Sequence, residues 1–149
     1  MLLKICRGIR KLITVIIKIK LTLQPPPQKK IVLYDGHAYY KSLKILPNNN
    51  FHILKTRVDE INIFIFLKIL INLKFSYLAY LECYIKYVNP KLLITFVDND
   101  FNFYKLNFKN IIKIAVQNGR RLDPQSFLSQ KNYKKKFITD YIFTFNDKD

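Results

Sequence analysis

Two short apolar runs in this chain stop abruptly in polar residues. Leu92-Leu93-Ile94-Thr95-Phe96-Val97 ends at Asp98-Asn99-Asp100, and Ile111-Ile112-Lys113-Ile114-Ala115-Val116 ends at Gln117-Asn118-Gly119-Arg120-Arg121. Short runs rich in β-branched residues and bounded by turn formers are the pattern of buried parallel strands. Ligands of open α/β sheets bind beyond the carboxyl ends of such strands. Chemistry is therefore expected near residues 98–100 and 117–121.

The other segments fit the same plan. Lys30-Ile31-Val32-Leu33-Tyr34 is expected as the first strand, ending at the loop Asp35-Gly36-His37, and Phe51-His52-Ile53-Leu54-Lys55 as the second. Asp59–Leu73 has helical length and is apolar nearly all round, which predicts a buried helix. A second helix is expected over Tyr77–Val88, capped by Ser76 and stopped by Asn89-Pro90. A strand over Leu92–Val97, a short helix over Phe101–Phe108 capped by Asp100, and a strand over Ile112–Val116 follow. Asp123-Pro124 is a cap followed by Pro at a first helical position, and Tyr141–Phe145 is a last strand. Strand and helix alternate at roughly βαβ spacing, which predicts a Rossmann-like parallel sheet with flanking helices.

Residues 1–28 stand apart from that domain, which is expected over 29–149. Lys4, Arg7, Lys11 and Lys18 recur near helical period between Leu2, Ile5, Ile9, Leu12, Ile13, Ile16 and Ile17. The pattern is a basic amphipathic helix over Leu2–Ile19. It either lies on an anionic membrane surface or packs its apolar face on the domain. Lys18 and Lys20 follow the apolar stretch and no small-residue cleavage site appears, so it is not a signal peptide. Gln24-Pro25-Pro26-Pro27-Gln28 then favours a short, stiff polyproline linker. Lys68, Asn72 and Lys74 argue against a transmembrane hairpin over residues 59–88.

A net charge of +16 invites a nucleic-acid or membrane partner. The excess is nearly all Lys and comes with abundant Ile, Asn, Phe and Tyr and no Trp, the bias of an AT-rich genome. The aromatics sit in apolar runs rather than among basic residues as stacking platforms, which argues against nucleic acid. Cys6 and Cys83 are far apart and have no zinc-ligand spacing, so a disulfide framework and a metal site are not expected, and a reducing cytoplasm is the default. There is no GxGxxG after the first strand, no P-loop, no HExxH and no GxSxG, so no cofactor is called for.

The polar clusters have two readings each. Asp98-Asn99-Asp100 offers a general base or groups for a sugar hydroxyl, or else closes a turn and caps a helix. Gln117 and Asn118 offer amide groups, Gly119 permits a sharp turn, and Arg120 and Arg121 suit bidentate phosphate recognition; alternatively they form a solvated turn. Asp35 and His37 sit at the equivalent end of the first strand, where His37 is a base or simply an exposed loop residue.

The strings LLITFVDNDFNFYKL, IKIAVQNGRR and DYIFTFN, with KIVLYDG and TRVDEIN, resemble the amino-terminal half of a family of surface-carbohydrate biosynthesis proteins. These are transferases associated with bacterial lipopolysaccharide and capsule gene clusters. The resemblance spans roughly residues 29–146 and implies half of a GT-B-like glycosyltransferase, the acceptor-side domain, with the carboxy-terminal donor domain missing. It implies that the nucleotide sugar binds that missing domain and that a lipid-linked or glycan acceptor meets this one. It further implies Asp98, Asn99, Gln117, Asn118, Gly119 and Arg120 on the cleft, with Asp98 the candidate catalytic base; Asp35, at the end of the first strand, joins the substrate side by its position. Such a fragment is expected to be inactive alone, cytoplasmic and peripheral to the inner membrane. The alternative is a non-catalytic domain that binds a membrane surface.

Overall fold

The computed structural model of the chain describes residues 20–35, 50–56, 60–73, 75–97, 100–117 and 138–144. The elements in order are β1 (Lys20–Thr22), β2 (Ile31–Tyr34), β3 (Phe51–Leu54), β4 (Glu60–Asn62), α1 (Ile63–Ile71), α2 (Tyr77–Val88), β5 (Leu92–Thr95), α3 (Phe101–Lys105), β6 (Ile112–Val116) and β7 (Tyr141–Phe143). Five strands form a wholly parallel sheet in the order β3-β2-β5-β6-β7, and β1 pairs with β4 in a separate parallel ribbon. Counted among themselves, the five strands run 2-1-3-4-5, one of the two common doubly wound orders. The fold is α/β, a parallel sheet flanked by helices, and is consistent with a Rossmann-like domain.

Burial accounts for the sheet. Val32, Leu33 and Tyr34 of β2 are fully buried, with Leu93 and Ile94 of β5 buried beside them. Successive strand residues face opposite sides, so both faces of the two central strands are covered. On one face Val32, Leu54, Leu93 and Ala115 form a single core with residues of α1, α2 and α3. The crossovers from β3 to β5 and from β5 to β6 advance in the same direction, and right-handed crossovers then place their helices on one face.

Local signals set several ends as the sequence predicts. Ser76 Oγ accepts the Ala79 N–H at 3.0 Å, and Asn89 leaves α2 in the left-handed region at φ 53° with Pro90 behind it. Asp100 caps α3, accepting the Asn102 N–H at 2.8 Å. The basic helix expected over Leu2–Ile19 and the Asp123-Pro124 cap lie outside the described residues.

Four expectations need correction. Asp59–Leu73 is not one helix: Glu60–Asn62 pairs with β1, and Asn62 then caps α1 by accepting the Ile65 N–H at 3.1 Å. Nor is α1 buried all round, since Ile65 and Ile69 are buried but Leu67 and Ile71 are 53% and 81% exposed. The strand expected to Val97 stops at Thr95, whose Oγ1 takes the Val97 N–H at 3.0 Å and so turns the chain out of the ladder. The helix expected to Phe108 stops at Lys105. The Leu106 carbonyl accepts instead from Lys113 Nζ at 2.7 Å. Within the proline segment Pro26 is buried, and just before it the Gln24 carbonyl accepts from Asn62 Nδ2 at 2.7 Å.

Lys113 is the one charged side chain among the buried described residues. Its Nζ donates to the carbonyls of Leu106 and Ile138 and lies 4.8 Å from the centre of the Phe103 ring. Its backbone N–H donates to Asp140 Oδ2 at 2.7 Å, and its carbonyl accepts from Asp140 N–H at 3.0 Å. One lysine thereby fixes the end of α3, the start of β6 and the approach to β7. On β3, His52 Nε2 meets the Tyr84 hydroxyl of α2 at 2.7 Å, and burial pushes the imidazole below its ordinary value.

Burial also pushes the Lys113 amine down to about 8 from its ordinary 10.5, against the opposing pull of Asp140. Between those values the unfolded chain holds a proton that the fold does not, so stability rises with pH across that window. Urea melts should show the rise beginning near pH 8 and its loss in Lys113→Met. A wild-type profile that is flat or falling in the lower half of the window, before tyrosines ionise, would contradict this.

Candidate functional site

In this strand order the crevice at the carboxyl edge lies between β2 and β5, the place where the connections leave in opposite directions and where ligands of such sheets bind. The two strands pair in parallel with Tyr34 opposite Thr95. Tyr34 and Asp35 therefore stand at the crevice on one side, and Thr95, Phe96, Val97 and Asp100 on the other.

Tyr34 is fully buried, its ring meeting Phe103 edge-on at 5.4 Å between centres. Its hydroxyl donates to Asp100 Oδ2 at 2.9 Å, while Asp100 Oδ1 caps α3. The carboxylate is thus held at both oxygens. Burial raises the Tyr34 phenol far above its ordinary range, and the charge of Asp100, its hydrogen bond and the more distant Asp35 add to the effect. Tyr77 of α2 donates its hydroxyl to the Thr56 carbonyl just past β3. Its phenol is also raised, by burial first and then by Asp100, with Tyr80 and Asp35 contributing. Both phenols feel both carboxylates, with the Tyr34–Asp100 hydrogen bond as the direct contact among them.

Asp35 is half-buried and takes φ 53°, a left-handed conformation that Asp tolerates better than most residues. Its N–H donates to the Leu54 carbonyl at 2.9 Å, which holds the turn against β3. Both phenol protons are spent within the protein, on Asp100 and on the Thr56 carbonyl, so a ligand at this edge would meet the half-buried carboxylates of Asp35 and Asp100, acceptors that suit hydroxyl groups.

The parallel pairing of Thr95 with Ala115 places the ends of β5 and β6 on the same edge. Gln117 follows β6 there, buried, with its N–H donating to the Phe143 carbonyl at 2.9 Å. Asp98, Asn99, Asn118, Gly119, Arg120 and His37 lie outside the described residues. Among the described residues no group of three or more His, Cys, Asp or Glu side chains could hold a metal ion. No described helix is long and apolar enough to cross a membrane.

Sequence reasoning did not single out Tyr34 or Tyr77, and it read Asp100 within the Asp98-Asn99-Asp100 cluster as a functional carboxylate or a helix cap. Tyr34 did carry a signal, a polar-tipped residue ending an apolar strand directly before Asp35-Gly36. Tyr77 carried none beyond its place after the Ser76 cap.

Replacing Tyr34 with Phe deletes the hydroxyl that meets Asp100 and little volume. Loss of a buried hydrogen bond to a charged group should cost about 1.5–3 kcal/mol in urea unfolding. A change below about 0.5 kcal/mol would show that water replaces the phenol and that the crevice is wetter than described.

No family model matches the chain, and neither a curated protein nor a solved structure does.

Proposed function

We propose that this chain is the amino-terminal, acceptor-side domain of a GT-B-like glycosyltransferase of surface polysaccharide biosynthesis. The observation that supports it is the crevice between β2 and β5, where Asp35 and the Tyr34–Asp100 pair stand at the edge where β5 and β6 both end. In this reading Asp98 accepts the proton of an acceptor hydroxyl as its oxygen attacks the anomeric carbon of a nucleotide sugar and the nucleotide leaves. Arg120 binds a phosphate or acidic sugar. Gln117, Asn118 and Asn99 orient hydroxyl groups, and Gly119 and Asp35 shape the acceptor side. The nucleotide sugar is held by a separate donor-binding domain, and the work is done at the cytoplasmic face of the membrane.

The chain by itself should then bind lipid-linked glycan acceptors yet transfer no sugar from a panel of nucleotide sugars. Arg120→Ala should weaken acceptor binding at least tenfold, about 1.4 kcal/mol, with the melting temperature nearly unchanged. In the two-domain enzyme Asp98→Ala should remove most activity. Turnover by the chain alone overturns the assignment of donor binding elsewhere, and acceptor binding indifferent to Arg120 overturns the acceptor side.

A second reading, a domain that binds a membrane surface, is favoured by exposed apolar residues at β1 and at the end of α1, together with the basic sequence of residues 1–19. Leu21 and Leu23 are 61% and 76% exposed, and Ile71 and Leu73 are 81% and 78% exposed. Removing residues 1–19 should lower co-sedimentation with anionic liposomes, and salt should weaken it. The deletion must spare Thr22 and Gln24, which bond to Asn62. Equal binding to neutral and anionic vesicles would contradict this reading.

A further inference from the structure

Just past the carboxyl end of β3 lies a cavity of about 300 Å³, at the lower end of the range for small-molecule sites. Phe66 and Ile69 of α1, Phe75 between the helices and Tyr77 of α2 form its walls, with Lys55 and Glu60 at its margin. The lining is carbon almost throughout. Lys55 and Glu60 pair with each other at 2.9 Å, so the margin presents no net charge to a ligand. Phe66 and Phe75 are 42% and 71% exposed although they face this hollow, an arrangement that leaves apolar surface in water until a ligand covers it.

The cavity is not remote from the candidate site. Tyr77 belongs to both: its ring lines the cavity, and its hydroxyl donates to the Thr56 carbonyl at the sheet edge. A polar ligand would find few partners on such walls, and a rigid polycyclic one would have to fit between two helices. A flexible hydrocarbon chain satisfies the walls, and Tyr77 leads from them to the carboxyl edge, where the half-buried Asp35 carboxylate can accept from a hydroxylated head.

We propose that this cavity holds the alkyl chain of a single-chain amphiphile whose hydroxylated head lies at the carboxyl edge beside Asp35. The placement of the head rests on reading that edge as the acceptor side; the binding of the chain does not.

The test uses the full 149-residue protein and dansyl-undecanoic acid as fluorescent probe, with alkyl glucosides as competitors below their micelle concentrations. The probe should bind saturably, one per chain. Each added methylene of the competitor should tighten binding about fourfold, then reach a plateau when the cavity is full. Phe66→Glu and Phe75→Glu should each weaken binding at least tenfold. Leu67→Glu, on the same helix but off the cavity wall, should leave it unchanged. Asp35→Asn, which tolerates the same backbone conformation, should weaken the glucosides and not the dansyl probe.

Absence of saturable binding overturns the proposal, as does an equal loss in Leu67→Glu, which would mark a general apolar surface. Binding that appears only when residues 1–19 are removed also overturns it, because the chain's own segment would then be the occupant. An Asp35→Asn effect that is nil or the same for both ligands overturns the placement of the head. Sugar transfer enters none of these measurements, so failure of the transferase reading and failure of the cavity remain distinguishable.

Discussion

The carboxamide of Asn62 decides how the chain passes from sheet to helix. The side chain is 5% exposed and uses both of its ends. Its oxygen accepts the Ile65 N–H and starts α1, and its nitrogen donates to Thr22 Oγ1 at 3.1 Å and to the Gln24 carbonyl. Its backbone N–H donates to the Tyr80 hydroxyl of α2 at 2.9 Å. Aspartate would supply the cap without the donors, and a hydroxyl is too short to bridge to β1. A buried polar group must be paired, and here a single amide is paired with three parts of the chain. The direction in which α1 leaves β4, and with it the wall of the apolar cavity, follows from that one side chain.

What the sequence reveals depends on how local each signal is. β2, β5 and β6 are legible because strands buried on both faces are written as unbroken apolar runs. α2 is legible because Ser76 and Asn89-Pro90 bracket it. β4 is not, because three residues at the head of an apolar segment carry no period that separates strand from helix. Its partner β1 lies 40 residues away, a separation set by the Thr22–Asn62 pair. The end of α3 is hidden for a related reason: the carbonyl that would continue the helix is taken by Lys113 seven residues on. At the candidate site, the ends of β5 and β6 fall on one edge as a parallel sheet predicts, but the Tyr34–Asp100 bond spans 66 residues and leaves no local trace.

The two edges of the sheet use charge differently. At the amino edge Lys113 and Asp140 spend their hydrogen bonds on backbone groups of the protein, joining α3, β6 and β7. At the carboxyl edge carboxylates stand beside phenols whose protons are retained, with Asp35 held to β3 through its backbone N–H. Both kinds of group are desolvated, yet only the second stands where ligands of such sheets bind. A perturbed ionisation is therefore not in itself a functional signal in this fold; its position along the strand axis separates scaffold from site.

The phenols give this chain an optical property. It contains ten tyrosines and no tryptophan, so tyrosine dominates its near-ultraviolet absorbance. Burial raises the ionisation of Tyr34, Tyr77, Tyr80 and Tyr84 above that of an exposed phenol. In alkali the exposed tyrosines convert to phenolate first, while these four stay dark at the phenolate wavelength for as long as the helical layer covers the sheet. The late step in such a titration is a reporter, built from the protein's own residues, of the moment α2 leaves its strands.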